Sequence, residues 1–210
     1  MHNVKVTKIL KSKYKKSRSL GISIWGDNKD SFHTKNYQPG QHGTNTKGKK
    51  SDYGLHLNAK QVVKFHYGRI TEKQFKNLFS KASKIKGNTA ENFAGLLERR
   101  LDMVVYRMNI APSIFTARQL VSHKHILLNG KIVNIASILV KEGDKIELSE
   151  TARNMIICQD SIKNSPRSRP EYVDFDPNKM VGSLIRTPTI SDIPYPFQPD
   201  FNKIIEFYSR

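Results

Sequence analysis

Arg118, Gln119, Ser122, Lys124 and Lys131 are the side chains whose types and spacing best suit a chemical task. Three cations, an amide and a hydroxyl within a short stretch can neutralise and hydrogen-bond phosphate oxygens. They offer no nucleophile beside a base, so the task is recognition of a polyanion rather than the making of a bond. A second set lies earlier. Lys13, Lys15, Lys16 and Arg18 form a basic run with Tyr14 interleaved, Lys49 and Lys50 close the knot Lys47-Gly-Lys-Lys50, and Lys60 and Lys64 stand one helical turn apart. Gln41 and His42 sit within Pro39-Gly40-Gln41-His42-Gly43, whose two glycines let backbone N–H groups approach an acceptor closely. These fifteen residues are the candidate binding set.

Seven histidines suggest a metal, and His123-Lys-His125 is the tightest pair, but no carboxylate or thiolate stands near it at ligand spacing. Cys158 is the single cysteine, which excludes an intrachain disulfide and a thiolate zinc site and points to a reducing compartment. No Walker-type loop, nucleophile elbow or dinucleotide fingerprint occurs. No metal, no cofactor and no catalytic residue are expected.

The elements that must position the first set, Arg118 to Lys131, lie between Glu91 and Leu148. Phe93, Leu96, Leu97, Leu101, Val104, Val105 and Met108 fall at helical spacing, which predicts one continuous amphipathic helix. Its other faces are expected to carry Glu98, Arg99, Arg100, Asp102 and Arg107, with Asp102 in a structural ion pair with a neighbouring arginine. Ser113 is placed to cap a short helix whose inner face is Ile114, Ala117, Leu120 and Val121, so that Arg118, Gln119 and Ser122 look outward. The period then changes to alternation at His125 to Leu128, Asn129-Gly130 supplies a type I′ turn, and Lys131 to Val133 returns as the paired strand. A turn at Gly143-Asp144 launches a further strand, Lys145 to Leu148. Helix and hairpin together form a preformed shelf.

Upstream, helices are predicted over Asn58 to His66 after an Asn58 cap, and over Thr71 to Ala82 after a Thr71 cap. Lys60, Lys64, Lys73, Lys76 and Lys81 give them a basic exterior. The first fifty residues hold eleven Lys and one Arg against Asp27 and Asp30 and few apolar residues, the composition of an arm that orders on contact. Seven of nine prolines fall between Pro166 and Pro199, which favours extended segments and turns before a short helix, Phe201 to Tyr208. Across the chain 36 Lys and Arg face 18 Asp and Glu, a net charge of +18, and nucleic acid is the polyanion this favours. No run of 18 apolar residues is present, so no membrane partner is expected.

Ala117-Arg118-Gln119-Leu120-Val121, Ser122-His123-Lys124, Asn129-Gly130-Lys131 and Val133-Asn134 resemble the RNA-binding module named after the small-subunit ribosomal protein S-four. The module also occurs in some tRNA synthetases and pseudouridine synthases. Arg100-Leu101-Asp102 is similar to the catalytic triplet of the latter, but the large catalytic domain is missing. Pro39 to Gly43, Ser51-Asp-Tyr-Gly54, Ala59-Lys-Gln61 and Lys86-Gly-Asn-Thr89 resemble the N-terminal domain of the ribosomal protein S-four family. Asp176-Pro-Asn-Lys-Met180 and Glu206 to Arg210 match its end. Ile24-Trp25-Gly26, Ile193-Pro194-Tyr195 and Phe-Tyr-Ser-Arg look most like its alphaproteobacterial and mitochondrially encoded branch.

The resemblance implies an α+β fold. A small helical domain, 51–90 completed by 176–210, would carry an inserted RNA-binding domain of helices and a small antiparallel sheet, 91–175, behind a basic extended arm, 1–50. Some members hold zinc or an iron–sulfur cluster through cysteines in the arm, where this sequence has none. The implied function is that of a non-enzymatic constituent of the small ribosomal subunit, binding a multi-helix junction in its ribosomal RNA and nucleating assembly. Its implied neighbours are ribosomal proteins S-five and S-three and the messenger RNA where it enters. The location would be the ribosome, in a mitochondrial matrix if the chain is organelle-encoded and otherwise in bacterial cytoplasm. The alternative is a free-standing RNA-binding translational regulator.

Overall fold

A computed structural model of the chain describes residues 12–44 and 51–209. Lys49, Lys50 and the basic residues of the first eleven positions lie outside them. The helices are α1 (Lys15–Leu20), α2 (Ser31–Thr34), α3 (Asp52–His66), α4 (Glu72–Ala82), α5 (Thr89–Glu98), α6 (Leu101–Arg107) and α7 (Ile114–Ser122). Then come β1 (Ile126–Leu128), β2 (Lys131–Val133), β3 (Lys145–Leu148), α8 (Glu150–Arg153) and α9 (Ile156–Asn164). The chain ends with β4 (Val173–Asp176), β5 (Val181–Leu184), a 3-10 turn (Ile190–Asp192) and α10 (Phe201–Ser209). The fold is α+β, in two compact units: Met1–His66 with Tyr195–Arg210, and Tyr67–Pro194.

In the first unit α10 packs on α3, burying Phe201 and Ile204. Helix α3 starts at Asp52 rather than at Asn58, because Ser51 is the cap: its hydroxyl accepts from Gly54 N–H at 3.3 Å. Asn58 lies inside the helix and donates instead to the Leu20 carbonyl at 3.4 Å, tying α1 to α3. The segment expected as an unfolded arm is folded over residues 12–44. Ile24 and Trp25 are buried, His66 donates through Nδ1 to the Ile24 carbonyl at 2.9 Å, and Asp30 caps α2 by accepting from Phe32 N–H at 3.0 Å. Two buried apolar residues and these bonds offset chain entropy that the bulk composition had weighed alone.

In the second unit α4 carries Thr71 as its cap, and Phe75 meets Phe93 of α5 edge to face at 5.0 Å. That contact places α4 with α5 in this unit, although the expected division set it with the N-terminal helices. The single helix expected over Glu91 to Met108 is two. Arg100 adopts an extended conformation (φ −64°, ψ 137°) and pairs as a β-bridge with Leu139, while Leu101 N–H donates to the Ile138 carbonyl at 2.8 Å and Val140 N–H to the Arg99 carbonyl at 2.8 Å. The passing strand segment competes for these backbone groups and breaks the helix without glycine or proline.

The charged residues of this pair do not face water either. Glu98, Arg100, Asp102 and Arg107 are buried, as is nearly every residue from Phe93 to Ala111. They are tolerated because each is paired: Arg100 binds Asp102 through Nε and Nη2 at 3.1 and 2.8 Å, and Arg107 binds Glu98 likewise at 3.0 and 2.9 Å. Tyr67 and Tyr172 each donate a further 2.8 Å bond to Glu98. The ion pair expected for Asp102 is therefore present, inside the core.

All five strands join one antiparallel sheet in the order β2-β1-β3-β5-β4. The hairpin β4–β5 lies in the proline-rich region, where extended segments and turns were expected but no sheet partners. Asp176 accepts from Asn178 and Lys179 N–H at 2.9 and 3.3 Å to close its turn. A Cβ at Gly182 would meet the Asp174 carbonyl at 2.5 Å, so only glycine lets the strands approach there. Because residues 173–184 complete this sheet, the chain rejoins the first unit at Tyr195, later than the expected 176.

Candidate nucleic-acid interface

The shelf of the second unit is built by α7 and the β1–β2 hairpin. Ser113 caps α7, accepting from Thr116 N–H at 3.2 Å, and Ile114, Ala117, Leu120 and Val121 are buried as their spacing required. The opposite side is thereby fixed outward. Gln119 and Ser122 are exposed, and Ser122 donates to the Arg118 carbonyl at 2.8 Å. Lys124 follows in a left-handed conformation (φ 65°), which turns the chain from α7 into β1 and leaves its side chain exposed. Asn129 and Gly130 take φ of 51° and 75°, the two positive values of a type I′ turn. The Asn129 amide donates to Asp144 at 2.9 Å and its oxygen accepts from Lys145 N–H at 2.8 Å, so the turn is pinned to the start of β3. Lys131, beside it, is exposed.

Arg118 differs from its neighbours. It donates from Nη1 to the Gly68 carbonyl at 2.8 Å, and its Nε lies 3.9 Å from Asp102. Burial lowers its pKa from the ordinary guanidinium value, opposed by Asp102 and assisted by Arg100. It is half-buried rather than outward, joining the loop at Gly68 to α7. The shelf thus presents Gln119, Ser122, Lys124 and Lys131, with Arg118 behind them.

In the first unit the candidates spread over several supports. Lys15 is exposed on α1. Lys13 pairs with Asp27 and lies 5.2 Å from the Trp25 ring, and Tyr14 donates to the same carboxylate at 3.0 Å. Burial and the Asp27 hydrogen bond push the Tyr14 hydroxyl up to about 12. Lys16 stands over the Phe65 ring at 5.3 Å. Arg18 stacks on Tyr37 at 4.7 Å and donates to the Tyr37 and Gln38 carbonyls, which anchors the segment leading to the glycine turn. Gln41 and His42 are exposed in that turn, where Gly43 N–H bonds the Gly40 carbonyl at 3.2 Å. Lys60 is buried, its ammonium 4.0 Å from the centre of the Phe207 ring, and Lys64 is half-buried with Phe65 at 6.0 Å.

Outside the candidate set, Lys73, Lys76, Lys81 and Lys84 are all exposed along α4 and its end, close to the three-and-four spacing of one helix side. That spacing is readable in the sequence, where Lys73, Lys76 and Lys81 give the helix its basic exterior. Among the described residues no cluster of three His, Cys, Asp or Glu is placed to hold a metal, and no helix is long and apolar enough to cross a membrane.

Fold and shelf define a basic α+β protein carrying an S-four-type domain. Residues 8–98 match the family described as the ribosomal protein S4/S9 N-terminal domain, and residues 99–146 match the S4 domain. A small ribosomal subunit protein uS4 from Rickettsia bellii is 60% identical over 205 residues, covering 98% of this chain and 100% of the relative. Those of Rickettsia felis and Rickettsia canadensis are 60% and 59% identical over the same lengths. The chain belongs to the uS4 family of ribosomal proteins, in its alphaproteobacterial type, and is not an enzyme. These relatives are bacterial, so the mitochondrial origin left open by the sequence gains no support from them.

Proposed function

We propose that the chain is a structural constituent of the small ribosomal subunit and binds small-subunit ribosomal RNA by its phosphate outline at a multi-helix junction. The observation that carries this reading is the 60% identity, over 98% of the chain, with a protein named for that subunit. The geometry is suited to it. A rigid helix and pinned hairpin hold Gln119, Ser122, Lys124 and Lys131 before any ligand arrives, so little ordering entropy opposes binding. Lys15, Lys16, Lys64, Gln41 and His42, with Lys49 and Lys50 from outside the described residues, form the phosphate-binding part of the first unit. Lys13, Arg18, Lys60 and Arg118 hold the surfaces in place while adding positive potential.

In this reading the protein nucleates subunit assembly by fixing the angles between RNA helices that would otherwise repel. It lies near the channel through which messenger RNA enters, beside ribosomal proteins S-five and S-three, in bacterial cytoplasm. The test is retention of a small-subunit 5′-domain transcript on filters at physiological ionic strength, against an unrelated structured RNA of equal length. Selective retention of the first is expected. Equal retention of both, or of neither, sinks the proposal.

A further inference from the structure

Nine of the 18 acidic residues fall between Glu142 and Asp192, where seven Lys and Arg accompany them, in a chain whose net charge is +18. The sheet shows where some of these carboxylates go. Ile132 stands opposite Leu127, Leu127 opposite Glu147, Glu147 opposite Val181, and Val181 opposite Asp176, a rung crossing all five strands. Directly opposed residues in antiparallel strands share a face, and the next rung on this face holds Lys145, Ser183 and Asp174. The other face is core, with Ile126, Ile146, Val173, Phe175 and Leu184 all buried. On the first face none of the eight residues is buried, Lys145 and Asp174 are exposed, and Ile132 is 64% exposed. Asp176 is committed to closing the β4–β5 turn, whereas the side-chain carboxylates of Glu147 and Asp174 have no hydrogen-bond or ion-pair partner among the described residues.

We propose that this sheet face docks a lysine- or arginine-rich segment of a neighbouring protein. The apolar stem of a long basic side chain can lie along Ile132, Leu127 and Val181 while its charged head reaches Glu147 or Asp174. RNA is the wrong occupant, because carboxylates repel phosphates and an exposed isoleucine has no partner on a phosphate backbone. The protein thereby divides its surface, with cations on α4, just after α7 and beside the hairpin turn for RNA, and carboxylates on the open sheet for protein. The inference takes its setting from the ribosomal reading, but its chemistry stands on the sheet alone.

The decisive experiment places a photocrosslinking phenylalanine analogue at Ser183 in the full chain assembled into small subunits. Crosslinks to a lysine- or arginine-rich peptide of another protein are expected. The double variant Glu147→Gln with Asp174→Asn should lower their yield at least tenfold while transcript retention stays unchanged. Crosslinks to RNA, to a second copy of this chain or to nothing, or an undiminished yield in the double variant, overturn the proposal. A chain that fails to assemble at all refutes the ribosomal reading instead. An octa-arginine peptide titrated against the isolated chain then decides the docking surface, with at least tenfold weaker binding expected for the double variant and equal binding overturning it.

Discussion

Arg118 answers to the fold as well as to any ligand. The sequence placed it on the outward side of α7, which is correct for its backbone, yet its long side chain folds back to the Gly68 carbonyl and towards buried Asp102. Arg118→Ala would leave that carbonyl and part of the Asp102 charge without a partner, so it should lower stability by about 1–3 kcal/mol, measured by chemical unfolding. A purely surface residue would leave stability unchanged. Glu98 is the sterner case. Burial alone would raise its pKa, but the Arg107 charge and the hydrogen bonds from Arg107, Tyr172 and Tyr67 hold it below the ordinary carboxylate value. A carboxyl depressed in the folded state stabilises above its unfolded pKa, and that stability is lost as pH falls through the folded value. Unfolding temperature should therefore decline below about pH 4.5. Glu98→Gln should flatten this acid limb and destabilise by about 3–5 kcal/mol at neutral pH, because Arg107 is left charged in the core. None of this was legible from hydrophobic spacing, which assigns charges outward and cannot see the tyrosines, 31 and 74 residues away in sequence, that receive Glu98. Cys158 is simpler. Buried, with its thiol pushed up by burial, it should resist alkylation in the native chain and react only on unfolding, a difference that timed mass spectrometry would read.

At the scale of elements, what sequence reveals is what neighbours in sequence decide. The Ser113 and Thr71 caps, the inner face of α7, the positive-φ turn at Asn129-Gly130 and the final helix are local bargains between a backbone and its own side chains, and all were readable. The break between α5 and α6 and the partners of β4 and β5 were not, since both depend on distant segments: residues 136–140 for the break, and β3 for the hairpin. The same distinction predicts how the β1–β2 turn responds to change. Gly130→Ala forces a side chain into φ 75° and should destabilise by about 1 kcal/mol. Asn129→Ala has the same backbone strain and also loses the bonds to Asp144 and Lys145, so about 2 kcal/mol is expected. Both losses would appear in denaturant midpoints. Hydrogen exchange should show the Asn129 variant opening at the β1–β2 end of the sheet, and RNA affinity should fall with it because Lys131 loses its fixed position.

For the whole molecule, the charge balance of +18 gave the partner class before any fold was known, but only the structure separates cations by job. Lys13 is paired, Lys60 is buried against Phe207, and Arg118 is bonded within the second unit, so these three count little towards an RNA footprint. Lys15, Lys124 and Lys131 from the candidate set, and Lys73, Lys76, Lys81 and Lys84 on and after α4, have exposed side chains. If each of these seven meets one phosphate, they alone give a log–log slope of affinity against salt of about −5 to −6, which Lys16, Lys49, Lys50 and Lys64 can only steepen. A slope of about −1 or −2 would mean a narrow contact and would contradict binding by outline. The slope also apportions the footprint. Replacing Lys124 and Lys131 by alanine should reduce its magnitude by about 1.5, and replacing Lys73, Lys76 and Lys81 by about 2 to 2.5, since each lost phosphate contact removes somewhat less than one unit. Glu147→Gln with Asp174→Asn should leave the slope where it was, because those carboxylates lie on the face turned to protein. A slope that steepened in that variant would place phosphate against the sheet and reverse the assignment of the two surfaces.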